Sequence, residues 1–342
     1  MKEIIFSASS EFEQIALNEI QKIDPRSLLL EWLDQGVGLV RLDQEDFASL
    51  SSKLLETNAV FVRHIFPVLE TVILDQSEQD FAQIWAAIAS HTQTLSSTIS
   101  IQIRLAQTSF SRSELFQFLS QSLTESGFQI EVKNPQQIIS IFCTAQFAYV
   151  GISNATQNLS SWAGGIHRLA QETEQISRAE FKLQEAIAVF NLALPESGKA
   201  LDLGASPGGW TRILRAKHFA VVAVDPADLS ESLHSDDQIT HHRQLVQQFL
   251  PNCHERFDLI VNDMRMDAIA SAKIMVAASH LLEENGLAVM TLKLPNKRVQ
   301  HAIRSASATL EKSYEIIGAR NLYHNRQEAT LAMKPKSSTL KD

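Results

Sequence analysis

Cysteine is nearly absent. Cys143 and Cys253 are the two in 342 residues, they lie far apart, and neither belongs to a C-x-x-C pair. A disulfide framework and a structural zinc site are thereby excluded, and a reducing compartment fits. Long apolar runs are missing as well. None reaches 18 residues, and in the opening MKEIIFSASSEFEQ, Glu11 and Glu13 fall where a signal sequence carries its apolar stretch. Neither a membrane span nor a secretion signal is expected, which places the protein in the cytoplasm. Basic charge is scarce too: 30 Lys and Arg stand against 39 Asp and Glu, for a net charge of −9. Residues 1–150 hold 9 Lys and Arg against 18 Asp and Glu, while residues 151–342 hold 21 of each. Phosphate binding rests on Lys and Arg, so any nucleic-acid contact in the first part must use local patches. The dinucleotide fingerprint G-x-G-x-x-G is also absent, which argues against an NAD-linked oxidoreductase.

At 342 residues, 44% of them apolar, the chain can bury two or three cores. Residues 1–154 read as an α+β region without a solenoid repeat. EIIFSA and GVGLVRL alternate as strands, and the run between them places Phe12, Ile15, Ala16 and Ile20 on one helical face. A second group follows, with helices DFAQIWAAIA and RSELFQFLSQSLTESG and strands ISIQIRL, QIEVKN, IISIFCT and QFAYVGIS. Together these predict a small sheet covered by helices. Residues 155–176 are polar, carry Gly164 and Gly165, and read as a linker. From residue 177 to 336 strands and helices alternate, predicting a doubly wound, mostly parallel α/β domain with helices expected around 267–284 and 298–312; residues 337–342 form a tail.

The first strand of that domain runs into Asp202-Leu-Gly-Ala-Ser-Pro-Gly-Gly-Trp210 and then a helix. Glycines at such a turn let backbone approach a ligand closely and tolerate positive φ. Asp225 ends the next strand, 23 residues beyond Asp202, where a carboxylate accepts hydrogen bonds from a ribose diol. Further along, Asp263 closes FDLIVND and Lys293 closes GLAVMTLK, and the carboxyl ends of strands are where open α/β sheets bind ligands. Lys182 stands on the helix before the first strand, with Arg178 one turn earlier on the same face, and Glu328 opens the last strand.

The turn, with glycines at 204, 208 and 209, resembles motif I of the class I methyltransferases, and its Pro-Gly-Gly-Trp ending resembles the FtsJ-type RNA ribose 2′-O-methyltransferase family. SRAEFKL, VNDM, TLKLP and NRQEATL occur in the order of that family's Lys-Asp-Lys-Glu tetrad. SRAEFKLQEA, LKLPNKR and ARNLYHNRQEAT resemble its branch acting on 23S ribosomal RNA, and QFAYVGISNA resembles the THUMP-type RNA-binding region of that branch. The resemblance implies a Rossmann-like methyltransferase domain using S-adenosylmethionine, preceded by a THUMP-like region. It implies Lys182, Asp263, Lys293 and Glu328 as catalytic residues. Asp202, Gly204, Ser206, Pro207, Gly208, Gly209, Trp210, Asp225 and Asp263 are the implied cofactor-binding residues. Methyl transfer to a hydroxyl requires alignment, proton removal and charge compensation. Lys293 is expected to be the base, its pKa lowered by burial beside Lys182, with Asp263 and Glu328 holding both lysines.

Two positions depart from the family: Leu245 stands where an acidic residue meets the adenine, and Ser206 where cysteine or alanine is usual. Lys297, Arg298, Arg320 and Arg326 are candidate phosphate contacts, and Trp162 and His167 are candidates for base stacking or packing. His241 and His242 lack a partner at metal-ligand spacing, so no metal is expected. The expected partner is RNA, 23S ribosomal RNA or its precursor, and the expected state is a monomer outside the membrane. A base methyltransferase is disfavoured, because Asn262-Asp-Met-Arg265 replaces the N/D-P-P-Y/F of amino-methylating enzymes. A non-catalytic RNA-binding or ribosome-assembly factor that kept the fold is the other alternative.

Overall fold

A computed structural model of the protein describes residues 2–336 apart from 58, 78, 168 and 170–174. The chain divides into two compact units, Met1–Ile166 and His167–Asp342. No described helix is long and apolar enough to cross a membrane.

The first unit begins with β1 (Glu3–Ser7), α1 (Glu13–Ile23), β2 (Leu28–Asp34), β3 (Val37–Arg41), α2 (Phe47–Glu56) and β4 (His64–Pro67). Its four strands form an antiparallel sheet in the order β2-β3-β1-β4. Then come β5 (Glu70–Ile73), α3 (Asp80–Ala89), β6 (Thr98–Leu105), α4 (Arg112–Glu125), β7 (Gln129–Ile130), β8 (Gln137–Cys143) and β9 (Phe147–Asn154). These strands make a second sheet, ordered β5-β9-β8-β6-β7. Two sheets thus stand where the sequence suggested one. The edge strand β2 exposes much of its length and shows no alternation, and β4 and β5 have four residues each, too few for a periodic signal. α4 is set by a Ser111/Glu114 capping box, whose reciprocal bonds satisfy two free N–H groups at the helix start.

Of the polar segment 155–176, residues 155–166 are built into this unit. The Asn158 carbonyl accepts from Ile65 N at 3.2 Å, the Ser161 carbonyl from Gln102 Nε2 at 2.9 Å and the Gly164 carbonyl from Ser7 Oγ at 2.7 Å. Residues 168 and 170–174 of that segment, and the tail 337–342, lie outside the described residues.

The second unit runs α5 (Ala179–Val189), β10 (Gly198–Leu203), α6 (Gly209–Ala216), β11 (Phe219–Val224), β12 (Ile239–His242), α7 (Val246–Phe249), β13 (Phe257–Asn262), α8 (Ala268–Ala278), β14 (Leu282–Lys293), α9 (Val299–Leu310), β15 (Tyr314–Arg320) and β16 (Glu328–Pro335). The seven-stranded sheet is ordered β12-β11-β10-β13-β14-β16-β15, parallel from β12 to β14, with β16 antiparallel to both neighbours. Interior strands such as FAVVAV and FDLIVN are almost continuously apolar, as burial on both faces requires. Leu183 of α5 and Trp210 and Leu214 of α6 pack with Val221, Leu259 and Val289 of the sheet. α8 ends at Ala278, short of the helix expected to 284, because β14 begins at Leu282 and runs twelve residues. Strand order reverses beside β10: the chain passes outward to β11 and β12, then returns to β13. At that switch point the helices leave on opposite faces and a crevice opens beyond the strand ends.

Candidate active site

The crevice is lined by residues from five places in the second unit: the start of α5, the β10–α6 turn, the ends of β11 and β13, the end of β14, and the β15–β16 loop with the start of β16. Gly204 (φ +76°) and Gly208 (φ +107°) adopt left-handed backbone conformations, which explains both glycines without invoking a ligand. Gly209 begins α6 and faces Ser177, with no room for a side chain: an added Cβ would stand 2.3 Å from Ser177 Oγ. Asp225 sits one residue past β11. Its carboxylate accepts from Ser206 N at 3.2 Å and Ala227 N at 2.8 Å. A carboxylate has about four acceptor sites, so two remain for a diol. Asp202, 1% exposed, accepts from Thr211 Oγ1 at 2.7 Å; burial pushes its carboxyl up to about 7, with Asp263 and Asp225 adding to the rise and the Thr211 hydroxyl opposing it.

The four charged residues expected together are together. Lys293 and Glu328 are directly paired across β14 and β16. Lys293 Nζ lies 2.6 Å from Asp263 Oδ1 and 2.9 Å from Glu328 Oε1; Lys182 Nζ lies 3.3 Å from Asp263 Oδ2 and 2.6 Å from Glu328 Oε2. Each carboxylate therefore bridges both lysines, in a ring of alternating charge whose side chains are 15–20% exposed. Burial works against the charge of Lys182, but Asp263 and Glu328 outweigh it and hold the ammonium above the usual lysine range. Burial likewise favours the neutral form of Asp263, and Lys293 and Lys182 outweigh it, holding the carboxyl below its usual range.

Several neighbours were not picked out by the sequence. Thr291 precedes Lys293 by two on the same strand face; its hydroxyl accepts from Lys293 Nζ at 2.8 Å and donates to Asp263 Oδ1. That period-two spacing was the available signal. Glu180, 2% exposed, accepts from Ile176 N at 2.6 Å and pairs with Arg212 at 2.7 Å. Glu185, 1% exposed, accepts from Tyr323 N at 2.7 Å and His324 N at 2.8 Å. Both fix α5, which carries Lys182. Arg265 lines the crevice beside Met264.

Other expected positions distribute differently. Trp210 is 3% exposed and donates from Nε1 to the Ala179 carbonyl at 2.7 Å, so its indole ties α6 to α5. Ser206 and Pro207 line the crevice, and Ser206 Oγ donates to the Asp228 carbonyl at 2.8 Å. Arg178 and Arg326 line it, whereas Lys297, Arg298 and Arg320 are not among its lining residues. Leu245 is 52% exposed at the start of α7 and does not line it either. Trp162 is 39% exposed in the first unit; His167, in the second, is buried, and its carbonyl meets His324 Nε2 at 2.9 Å. His241 Nε2 lies 3.1 Å from the Asp225 carbonyl and the His242 ring packs on Phe249.

Residues 175–318 match the family described as FtsJ-like methyltransferase. Among curated relatives, the "Ribosomal RNA large subunit methyltransferase M" of Alkalilimnicola ehrlichii is 31% identical over 232 residues, 65% of this chain and 63% of the relative. The protein of that name from Edwardsiella ictaluri is 32% identical over 63% of this chain and 60% of the relative. Such alignments span under two thirds of the relatives' length. That of the Pasteurella multocida protein covers 89% of both chains at 28% identity.

Proposed function

We propose that this protein, whose residues 175–318 match the FtsJ-like methyltransferase family, transfers a methyl group from S-adenosylmethionine to a ribose 2′-hydroxyl of RNA. The observation that carries the proposal is the ring of Lys182, Asp263, Lys293 and Glu328 at the strand ends of an open crevice. The donor set beside the glycine turn fits a cationic nucleoside: the carboxylates of Asp202, Asp225 and Asp263 line that part of the crevice. Asp225 would take the ribose diol with its two remaining acceptor sites.

When bound beside the glycine turn and Asp225, S-adenosylmethionine would supply an electrophilic sulfonium methyl for attack by the ribose oxygen. Lys182, whose ammonium Asp263 and Glu328 hold above the usual lysine range, is suited to orient the ribose oxygens. Lys293 is the base. Its ammonium spends three donors on Asp263, Thr291 and Glu328. The amine form keeps two N–H groups, enough for the two carboxylates, and its lone pair takes the 2′-hydroxyl proton.

The names of the relatives point to ribosomal RNA of the large subunit as substrate. We assign the methyltransferase domain to residues 177–336, residues 1–154 to a THUMP-like RNA-binding region, and the protein to the cytoplasm. The test is transfer of labelled methyl from S-adenosylmethionine to unmodified 23S ribosomal RNA, followed by mapping of the modified ribose. Lys293→Ala should lower the rate by about 10² to 10⁴, the usual range for a general base. Label found on a base, or a Lys293→Ala variant with unchanged rate, overturns the reading.

A further inference from the structure

The loop between β15 and β16 presents a combination that the ring of charges does not require. Its backbone is locked from below by buried polar side chains. Glu185 receives the N–H groups of Tyr323 and His324. Asn321, 1% exposed, donates to the carbonyls of Arg326 at 3.2 Å and Glu328 at 2.7 Å. Asn325, 4% exposed, accepts from Leu322 N at 2.9 Å and Thr330 Oγ1 at 3.0 Å. Ordering a loop this way costs conformational entropy and the desolvation of three polar side chains.

What the loop displays is nevertheless exposed. Tyr323 is 39% accessible, and Arg326 is exposed on the crevice wall with no ion-pair partner among the described residues. The Tyr323 ring meets the His324 ring edge-on, centroids 5.0 Å apart. His324 lies flat on Phe181 at 4.8 Å, and Phe181 immediately precedes Lys182. A tier of aromatic rings therefore runs from beside the charged ring to the surface, flanked by a free guanidinium.

We propose that this loop is a rigid platform for the RNA strand, on which Tyr323 stacks a nucleobase next to the methylated ribose and Arg326 holds a neighbouring phosphate. The proposal rests on the reading of the site as an RNA ribose methyltransferase. Aromatic faces stack any unpaired base, and guanidinium pairs with phosphate without regard to sequence. Tyr323 and Arg326 are positioning residues, so their loss acts on RNA and not on the cofactor. Pre-ordering the loop removes the cost of fixing it when the strand arrives.

The experiment uses the full chain, a transcript of unmodified 23S ribosomal RNA and a single-stranded RNA oligonucleotide carrying 2-aminopurine. Tyr323→Ala should lower kcat/KM for the transcript by about tenfold or more, while Tyr323→Phe stays within about twofold of wild type, because the phenyl face still stacks. Arg326→Ala should reduce the salt dependence of RNA binding by about one phosphate contact. Calorimetric affinity for S-adenosylmethionine should be the same in all four proteins. Stacking should quench 2-aminopurine with wild type and Tyr323→Phe, and not with Tyr323→Ala. An active wild type with an indistinguishable Tyr323→Ala overturns the platform alone, as does a Tyr323→Phe variant as damaged as the alanine. A wild type that binds S-adenosylmethionine yet methylates no RNA removes the underlying reading, and the platform with it.

Discussion

Thr291 holds a hydroxyl that bonds both Lys293 and Asp263, which also pair with each other directly. Thr291→Val keeps the branched shape and the strand while removing both hydrogen bonds. Hydrogen bonds to charged groups contribute roughly 1.5–3 kcal/mol, so kcat should fall by about one to two orders of magnitude. Affinity for S-adenosylmethionine should stay unchanged, and Thr291→Ser should restore much of the rate. A valine variant with full kcat would show that the carboxylates alone position Lys293. Asp202 makes a different kind of prediction. Its buried carboxyl titrates at about 7 in the folded protein, against about 3.9 for an unfolded aspartate. Between these values the folded chain keeps a proton that the unfolded chain has released, so stability falls as pH rises from about 4 to about 7. Asp202→Asn removes that slope. Chemical unfolding at pH 8 without cofactor should find the variant more stable by on the order of 2–4 kcal/mol, and a difference that does not change between pH 4 and pH 8 would contradict the assignment.

At the scale of elements, the question is how α5 brings Lys182 to the strand ends. One side of the helix is tied to α6 through Glu180–Arg212 and the Trp210 indole, the other to the β15–β16 loop through Glu185. Glu185→Gln replaces one accepting oxygen with an amide NH₂ that faces a backbone N–H. Leaving a buried donor unpaired costs about 1–3 kcal/mol. The variant should melt several degrees lower and lose kcat through displacement of Lys182, with cofactor affinity retained; unchanged melting and rate would show that the other tether suffices. These tethers explain what the sequence could and could not show. Asp263 and Lys293 are legible because an apolar run that stops at a charge marks a strand end. Glu180 and Glu185 are not, since a glutamate on a helix is normally solvated and its burial is decided by distant segments. Trp210 lines the crevice beside the glycine turn, and its ring is also buried, with Nε1 donating to the Ala179 carbonyl. In the first unit, β2, β4 and β5 carry little signal because they are short or lie on an edge with weak alternation, whereas α2 has a legible helical spacing in Phe47, Leu50 and Leu54.

Across the whole molecule, charge is distributed in a way that constrains RNA binding. The net −9 falls entirely within residues 1–150, while residues 151–342 are balanced. Arg178, Arg265 and Arg326 line the crevice without ion-pair partners among the described residues. Electrostatic affinity for RNA should therefore come from a handful of phosphates at the crevice, while an acidic first unit that reads RNA does so by shape and ribose hydroxyls. Three contacts at roughly −0.7 each predict a slope of about −2 in log affinity against log salt for a single-stranded substrate. Fluorescence anisotropy of a labelled RNA between about 50 and 200 mM salt measures it. Replacing all three arginines with alanine should flatten the dependence nearly to zero. A slope steeper than about −5 would mean many more phosphate contacts than the crevice offers, and would move the main electrostatic footprint to basic patches elsewhere on the chain.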